Sequence, residues 1–391
     1  MEVYTLNSSL QRVAVIDEFI SLIWTDRFRQ LGDFKLTVVS TPVMRDLLIE
    51  RTLLISNSST RVMIIENVLD SVASDGTKIL TVSGNSLEKI LVQRVAKESL
   101  ASLTSSPTWN ITNTPPAICR YIFQQICITG VLSSADVITP YSATAVYPPD
   151  TIIEPSTSIT VNIAPTSVYD AIVELCDMYD MGFRLIRNPT TGNLHFDVYV
   201  GRNRTSAQTT DRSVIFSSKL DNLTNTQELM SVENEMTTAY VFSPLGSSIR
   251  YAEGYDATSA AGLKRKVLMV DASDLTSSSD LATDLTKRAN IAFADHRAMQ
   301  AFDGEINQKN AYKYGVDYNV GDIVEQRNDK GFANFLRVTE QILTCDAEGD
   351  KSYPTLSKVL SITPGSWAAW DAEQDWNEVP DSATSEWADM P

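Results

Sequence analysis

Histidine is the first residue type to consider for catalysis, and this chain contains two, His195 and His296. Asp295 precedes His296 on a predicted helix, where adjacent residues point in different directions and do not form an acid–base dyad. Asp197 follows His195 by two residues on one face of a predicted strand, but two ligands do not make a metal site. The histidine count therefore argues against zinc catalysis, a serine triad and histidine-based acid–base chemistry.

The cysteines lie far apart in the sequence, and none belongs to a Cys-x-x-Cys motif. Free cysteine commonly packs as a small apolar residue, and disulfide frameworks are typical of small secreted domains. We therefore expect reduced thiols that behave as small buried hydrophobic groups at the four positions, Cys119, Cys127, Cys176 and Cys345.

Carboxylates are abundant, with 49 Asp and Glu residues, but no pattern among them identifies a sugar cleft or a calcium loop. The sequence also lacks the glycine-rich motifs that bind phosphates. Asn319-Val320-Gly321-Asp322 predicts a tight turn with a capping aspartate before a strand, in preference to a metal loop. We expect no catalytic, cofactor-binding or metal-binding residues, and we expect that the protein is not an enzyme.

One small basic cluster follows a predicted hairpin and consists of Arg202, Arg204 and Arg212. Three arginines in a loop could contact phosphates. We favour two other interpretations, a salt bridge between subunits or a solvated surface, because the chain as a whole is acidic.

The net charge of −17 is concentrated partly in the last residues. Residues 365–391 contain seven Asp or Glu and no Lys or Arg, which leaves −10 for the rest of the chain. Tight nucleic-acid binding requires clustered cations, so we expect none, although DNA could pass an acidic surface without adhering. No apolar run is long enough to cross a bilayer, and the N-terminus does not resemble a secretory signal. We expect synthesis in the cytoplasm and no direct membrane insertion.

Residues 1–99 are predicted to form a β-rich domain that is closed by one helix. Apolar and polar residues alternate over short spans, for example from Phe34 to Val38, which is the period of a half-buried strand. Asp75-Gly76 between two such runs indicates a hairpin. Asn85 in the N-cap position, with Glu88 three residues later, predicts that the helix begins there.

Residues 100–212 are predicted to form an α+β insertion. Loops rich in Ser, Thr and Pro surround a helix at 116–127, and a second helix at 166–181 leads into a hairpin at 182–200. Residues 213–364 return to strands and contain one long helix at 281–297. The two β regions suggest two barrel-like units of the same kind, although their sequences do not align as a repeat.

Residues 365–391 form an acidic C-terminal tail that has neither a helical nor a strand period. Such a segment could dock its aromatic side chains into a groove on a partner, or it could cover the core of its own subunit. The sequence leaves both interpretations open for its tryptophans, Trp367, Trp370, Trp376 and Trp387.

Four segments occur in a characteristic order: Trp24 with Gly32 to Leu36; Val82 to Leu87, leading into Leu91 and Arg94; Gly182 to Arg202; and Asp317 to Val324. In this order they resemble the siphophage tail-hub proteins, also called tail-associated or Gp37-like minor tail proteins, which are similar to the baseplate hubs of contractile phages. The resemblance covers roughly residues 1–364. Each motif is short, and their order and spacing carry the assignment.

The resemblance implies a mainly β protein with an α+β insertion and two tube-like β-barrel domains in each subunit. Three subunits would then form a homotrimer, a pseudo-hexameric ring at the tail tip of the virion. It implies a structural hub that closes the distal end of the tail tube and forms a gate for DNA ejection. The implied partners are the distal tail protein, the tape-measure protein and other tail-tip proteins.

Two other function classes remain open at the level of the sequence. A carbohydrate-binding surface or adhesion β protein is the main alternative, and a glycoside hydrolase is the next. An adhesin would carry an export signal, and a hydrolase would depend on single carboxylates. A hub would trimerise and would have no catalytic activity.

Overall fold

Strands dominate this chain, as the sequence predicts: the structure, a computed structural model, is 41% strand and 19% helix. It describes residues 1–358 except 73, 75, 103–107, 140–154, 189, 274, 276, 277, 279, 307–311 and 328–332, and Met1–Lys358 form one unit. The acidic tail predicted at 365–391 lies outside the described residues. The domain boundaries after residues 99, 212 and 364 stay predictions.

The strands and helices are numbered in the order in which they occur along the chain. The strands are β1 (Val3–Leu6), β2 (Arg12–Ile16), β3 (Ser21–Arg27), β4 (Asp33–Val39), β5 (Leu53–Ser56), β6 (Val62–Val72), β7 (Lys78–Ser86), β8 (Trp109–Asn113), β9 (Ile159–Ile163), β10 (Gly182–Arg187), β11 (Leu194–Tyr199), β12 (Ile215–Phe216), β13 (Leu223–Ser231), β14 (Thr238–Ser243), β15 (Gly246–Tyr251), β16 (Val267–Asp271), β17 (Met299–Ile306), β18 (Ile323–Arg327), β19 (Ala333–Asp346) and β20 (Gly349–Lys358). The α-helices are α1 (Pro42–Leu47), α2 (Lys89–Val92), α3 (Pro115–Phe123), α4 (Val168–Met178) and α5 (Leu281–Ala294).

One large sheet joins the two ends of the described chain. Its strand order is β13-β17-β20-β19-β3-β4-β7-β6-β5-β1-β2, and β18 pairs with β19 and with the short β12. The central contact is the antiparallel pair of β3 and β19, which lie more than 300 residues apart in sequence. Among the described residues the two ends of this order do not meet, so the structure does not display the two closed barrels predicted from the sequence.

The strand order of the sheet contains the same pattern twice. The first set reads β3-β4-β7-β6-β5-β1, and the second reads β13-β17-β20-β19-β18-β12. Corresponding strands also follow the same order along the chain. One difference is that β1 pairs antiparallel with β5, whereas β12 pairs parallel with β18. The two units of one kind that the sequence suggests therefore recur in the strand order.

A β-bulge occupies the same place in both sets. Glu66 has no opposite residue where β6 pairs with β7, and Thr339 has none where β19 pairs with β20. Bulges bend a strand and increase its twist, so both sets turn at corresponding points. In each set the residue two positions before the bulge pairs with the first residue of the neighbouring strand: Ile64 with Leu53, and Arg337 with Ile323.

The middle of the chain packs as an α+β layer against the first strand set. Helices α3 and α4 and the hairpin of β10 and β11 share one core, in which Phe123 and Phe196 stack with ring centroids 4.3 Å apart. Cys119, Cys127 and Cys176 are free and buried in this core, and Cys345 is half-buried. The predicted burial of unpaired cysteines is confirmed at three of the four positions, and Cys345 is only partly buried. Strands β8 and β9 form a small sheet in a region predicted as loops.

The predicted start of the helix after β7 was wrong. Asn85 remains in β7, where it pairs with Asp33 and Ile64, and its amide donates to the carboxylate of Glu66. Helix α2 begins only at Lys89, and the side chain of Glu88 makes no capping hydrogen bond. Two complete ladders of backbone hydrogen bonds outweigh one capping interaction, so the strand continues through the capping motif.

A smaller sheet, ordered β15-β14-β16, is inserted between β13 and β17. Helix α5 covers one of its faces through Leu285, Ala289 and Phe293. Asp280 caps α5 by accepting a hydrogen bond from the Thr283 amide, 3.2 Å long. The helix predicted at 281–297 thus ends three residues earlier than expected.

Candidate functional site

The two strand sets and the α+β layer meet at Phe28, the residue directly after β3. Its amide donates to the Thr339 carbonyl at 3.0 Å, at the bulge of β19. Its carbonyl accepts a hydrogen bond of 3.3 Å from the Phe183 amide on β10. One residue therefore connects three stretches of chain that are distant in sequence.

The ring of Phe28 is 2% exposed and lies between two arginines. The guanidinium carbon of Arg29 is 5.0 Å from the ring centroid, and that of Arg337 is 4.8 Å away. Tyr199 meets the ring edge-on, with centroids 5.4 Å apart. Cation–π contacts of desolvated arginines are worth up to about 2 kcal/mol each, so this stack stabilises the junction.

Two glycines allow the backbone to approach the Phe28 ring. A Cβ atom on Gly182 would lie 2.2 Å from the Phe28 Cε2 atom, and one on Gly321 would lie 2.8 Å from it. Gly321 also has a φ of +101°, which disfavours any other residue. Each glycine belongs to a different segment, so close packing on one ring fixes the position of both segments.

Asp180 holds the two arginines on this ring. Its carboxylate accepts hydrogen bonds from both Arg29 and Arg337. Arg337 also donates to the Gly321 carbonyl, and Arg29 donates to the Met181 carbonyl at 2.9 Å. Burial lowers the pKa of Arg337, and Asp180 opposes this effect. Loss of one member of a buried pair would leave an uncompensated charge, which is strongly destabilising.

A second buried ion pair joins the first strand set to the α+β layer. Arg61 donates to Glu88, and also to the Arg27 carbonyl at 2.7 Å. Glu88 accepts a further hydrogen bond of 2.7 Å from the Leu185 amide. Burial alone would lower the pKa of Arg61, but Glu88 and other nearby acidic groups outweigh it and raise the pKa above its ordinary value. Arg61 therefore stays charged.

Asp26 is a third buried acid near this junction, on β3. It accepts hydrogen bonds from the Trp24 indole at 3.1 Å, the Ser59 hydroxyl at 2.7 Å and the Tyr314 hydroxyl at 2.7 Å. Burial raises the pKa of Asp26, while Arg61 and these donors lower it. The carboxylate ties β3 to two loops, one from each strand set.

A cleft of about 400 Å³ opens beside the junction between β3, α4, β19 and β20. Its charged groups are paired: Arg27 bonds to Asp33 and Glu340, and Arg29 lies 3.5 Å from Asp177. The described residues contain no group of three or more His, Cys, Asp or Glu that could hold a metal ion. Chemically, this arrangement neutralises buried charges and joins segments.

The histidines are separate from the junction. His195 is buried on β11, and the neighbouring acid on its face, Asp197, accepts from Arg184 at 2.8 Å. The Nδ1 atom of His296 lies 2.9 Å from the Ala292 carbonyl at the end of α5. These contacts are those of packed side chains.

The predicted arginine cluster pairs with acids of its own chain. Arg202 lies 3.1 Å from Asp211, Arg204 lies 2.6 Å from Asp322, and Arg212 bonds to Asp317. Neither a phosphate site nor a contact between subunits is needed to explain these residues.

Asp322 belongs to the predicted tight turn. Its carboxylate accepts from the Asn319 amide at 3.0 Å and from the Arg202 amide at 2.8 Å. Burial raises the pKa of Asp322, and these donors oppose the effect. The turn predicted here is confirmed, with Gly321 at its tight position.

Sequence reasoning missed Phe28, Arg61, Asp180 and Arg337 as a group, because no motif relates them. One signal was available: charged residues inside otherwise apolar stretches are rarely buried unless they are paired.

The outer face of the large sheet, opposite the core around Trp24, is the second surface of interest. The register places Ile23 beside Thr344 and Lys35, and Lys35 beside Ser83. The next row contains Thr37 and Thr81, whose hydroxyls are 3.5 Å apart. Further residues there, Arg27, Asp33 and Glu340, neutralise one another. The face is rich in hydroxyl groups and carries few unpaired charges.

Comparison with protein-family models places residues 1–356 in one family, described as Siphovirus ReqiPepy6 Gp37-like protein. The chain belongs to this family. Comparison with curated proteins finds no match. None of the helices in the described part of the chain is long and apolar enough to span a membrane.

Two solved structures have a similar fold. The tail protein from Neisseria meningitidis MC58 is 13% identical, with a TM-score of 0.57 over 91% of this chain and 96% of that one. The 43 kDa tail protein of prophage MuSo2 from Shewanella oneidensis is 11% identical, with a TM-score of 0.54 over 91% and 96% of the two chains. This Gp37-like chain therefore has the fold of phage tail proteins.

Substitution of Gly182 by Ala tests the packing around Phe28. The added methyl would collide with the ring, so the free energy of unfolding should fall by ~1–3 kcal/mol in urea denaturation. Phe28→Leu should relieve the collision, so the double variant should lose less stability than the two single variants together. Strict additivity would contradict the proposed contact.

Stability should depend on the titration of His195. Burial lowers the pKa of His195 below its ordinary value of 6.5, with partial opposition from Asp197. The folded state therefore binds this proton more weakly than the unfolded state. The free energy of unfolding should be highest above pH 6.5 and should fall as the pH drops below that value. Urea midpoints measured between about pH 8 and about pH 5 should reveal this dependence as a slope of the midpoint against pH. His195→Gln should reduce the slope; equal slopes in this variant and in the wild type would refute the assignment.

Proposed function

We propose that this Gp37-like chain is a structural protein of a bacteriophage tail, and that it forms the hub of the tail tip or baseplate. The observation that carries the proposal is the repeated strand order, two sets of one kind joined edge to edge at β3 and β19. Three such chains present six similar strand sets. A closed ring of three chains would thus match a sixfold tube, which supports a homotrimer of two tube-like barrels per subunit.

The hub would close the distal end of the tail tube and form a gate through which DNA is ejected. In this proposal the outer face of the large sheet lines the channel. Its threonine and serine hydroxyls and mutually neutralised charges give DNA few cations to displace counterions. The remaining charge of −10 outside residues 365–391 also disfavours adhesion of DNA.

The proposed partners are the distal tail protein, the tape-measure protein and other tail-tip proteins, all within the virion. The family match over residues 1–356 and the fold shared with two tail proteins support this assignment. No catalytic role is proposed, because every charged group at the junction described above serves to hold chain segments together. The protein would act through its geometry.

The oligomeric state tests the hub directly. Light scattering on the full chain, alone or with the distal tail and tail-tube proteins added, should give a species that contains three copies of this chain, which together contribute three times 43.2 kDa. A chain that stays monomeric in the presence of both partners would exclude the hub.

Added positive charge on the outer sheet face tests the channel. Combining Thr37→Lys, Thr81→Lys and Ser83→Lys should create DNA binding that weakens with salt, since each phosphate contact adds about 0.9 to the salt slope. In particles the same variant should slow DNA ejection and leave assembly intact. A control chain with lysines at the exposed Ala257, Ala261 and Ser273 has the same net charge and should behave like the wild type. Equal effects from both variants would argue against this channel surface.

A further inference from the structure

The pair of β3 and β19 is a template for a contact between copies of this chain. The first half of β19 pairs with β18, and its second half, Glu340–Cys345, pairs with β3. The strand that corresponds to β19 in the first set is β6, and its first half pairs with β5 in the same way. The second half of β6 therefore occupies the position that β3 covers in the other set.

That second half of β6 has a free edge. Within the described residues, strand pairing of β6 from Asn67 to Val72 is with β7 alone. Leu69 and Val72 are 62% and 65% exposed. An uncovered edge with apolar side chains attracts another strand, and folded proteins usually protect such an edge with charged residues, above all lysine, or with proline. Residues 67–72 contain neither lysine nor proline, and their one charged residue, Asp70, lies 3.5 Å from Arg45 of the same chain.

The strand that corresponds to β3 is β13, and the part of it that the contact would use is Leu229–Ser231. In the described part of the chain, β13 forms a strand pair with β17 alone and lies at one end of the sheet order. Leu229 and Met230 are 51% and 73% exposed. β13 contains no Lys, Arg or Pro. One chain thus carries both halves of the contact, at different places on its surface.

We propose that β13 of one copy pairs antiparallel with the second half of β6 in the next copy, so that the β3·β19 joint recurs between subunits. The inference rests on the trimeric hub proposed above and identifies its interface. Because the two surfaces differ, the contact is head-to-tail, and it closes into a ring when the rotation between copies is one third of a turn.

The template also determines the register. In the chain itself Ile342 pairs with Thr25, and Gln341 pairs with Asp26. Leu69 lies three residues after the bulge residue of β6, and Ile342 lies three residues after the bulge residue of β19, so these two positions correspond. Val68 corresponds to Gln341 in the same way. The register can also be followed from β7 through β4 to β3 in the first set, and from β20 through β17 to β13 in the second set. On this count Leu229 corresponds to Thr25, and Met230 corresponds to Asp26.

The predicted neighbours across the interface are therefore Leu69 with Leu229 and Val68 with Met230. The same register places Asp70 opposite Glu228, a like-charge pair that works against the apolar contacts beside it. Successive residues of a strand point to opposite faces, so one apolar pair lies on each face of the joined sheets. Burying exposed Leu69, Leu229 and Met230 together would remove apolar surface from water on both sides, in addition to completing two rows of backbone hydrogen bonds.

Paired cysteines test the register in the full chain. The double variant Leu69→Cys, Leu229→Cys, mixed with the distal tail and tail-tube proteins and treated with a short thiol cross-linker, should yield a covalent trimer on a denaturing gel. Each single variant and the wild type should not. The double variant Val13→Cys, Leu229→Cys probes the alternative in which β13 pairs with β2, the opposite end of the sheet order, and it should remain uncross-linked.

A charge exchange tests the same pair by equilibrium. Leu69→Lys or Leu229→Glu alone should weaken trimer formation about tenfold or more, because each buries an unpaired charge. Their combination places opposite charges side by side and should recover most of the affinity. Both sites are exposed in the single chain, so the far-ultraviolet spectrum and urea midpoint should stay those of the wild type.

The outcomes separate this inference from the hub itself. A trimer that forms without the 69–229 cross-link, or that tolerates both single charges, would overturn the interface and leave the hub standing. A cross-link between positions 13 and 229 would also overturn the interface with β6 and leave the hub standing, and it would assign β2 as the partner strand. Absence of any trimer with all partners present would overturn both proposals.

Discussion

The structure depends on one buried arrangement, the Phe28 ring held between Arg29 and Arg337 by the carboxylate of Asp180. The ring, the acid and Arg337 come from three stretches of chain, and removal of any one would leave a buried charge or a cavity. Such groups are stable only when all partners are present. The two strand sets and the α+β layer therefore form one cooperative unit.

The β3·β19 pair continues this connection through the backbone. Arg27, at the end of β3, bonds to Glu340 on β19 and to Asp33 on β4, so the seam carries side-chain contacts as well as a ladder. If the same joint recurs between copies, the two seams share a pattern of strand pairing but not their side chains, because the ion pairs at Phe28 join segments of a single chain.

Much of the local structure follows from the sequence pattern. The alternation of apolar and polar residues from Phe34 to Val38 predicted a half-buried strand, which is observed as β4. The hairpin before β7, the helix α4 and the turn at Gly321 also formed as expected. The cysteine, histidine and charge counts argued against the common catalytic classes. At Asn85 the pattern misled, because capping preference is a weak local signal and pairing with two neighbouring strands outweighs it.

What the sequence by itself determined is the type and order of most helices and strands and the absence of recognisable catalytic motifs, since both depend on residues close together in the chain. Only the tertiary structure revealed the repeated strand order, because the two sets share hydrogen-bonding topology and bulge position and not residue identity. It also showed which arginines are buried. Arg61 and Arg337 look like surface residues in the sequence, and their burial becomes possible only because Glu88 and Asp180 neutralise them. Long-range electrostatic pairing of this kind has no sequence period and is settled by folding alone.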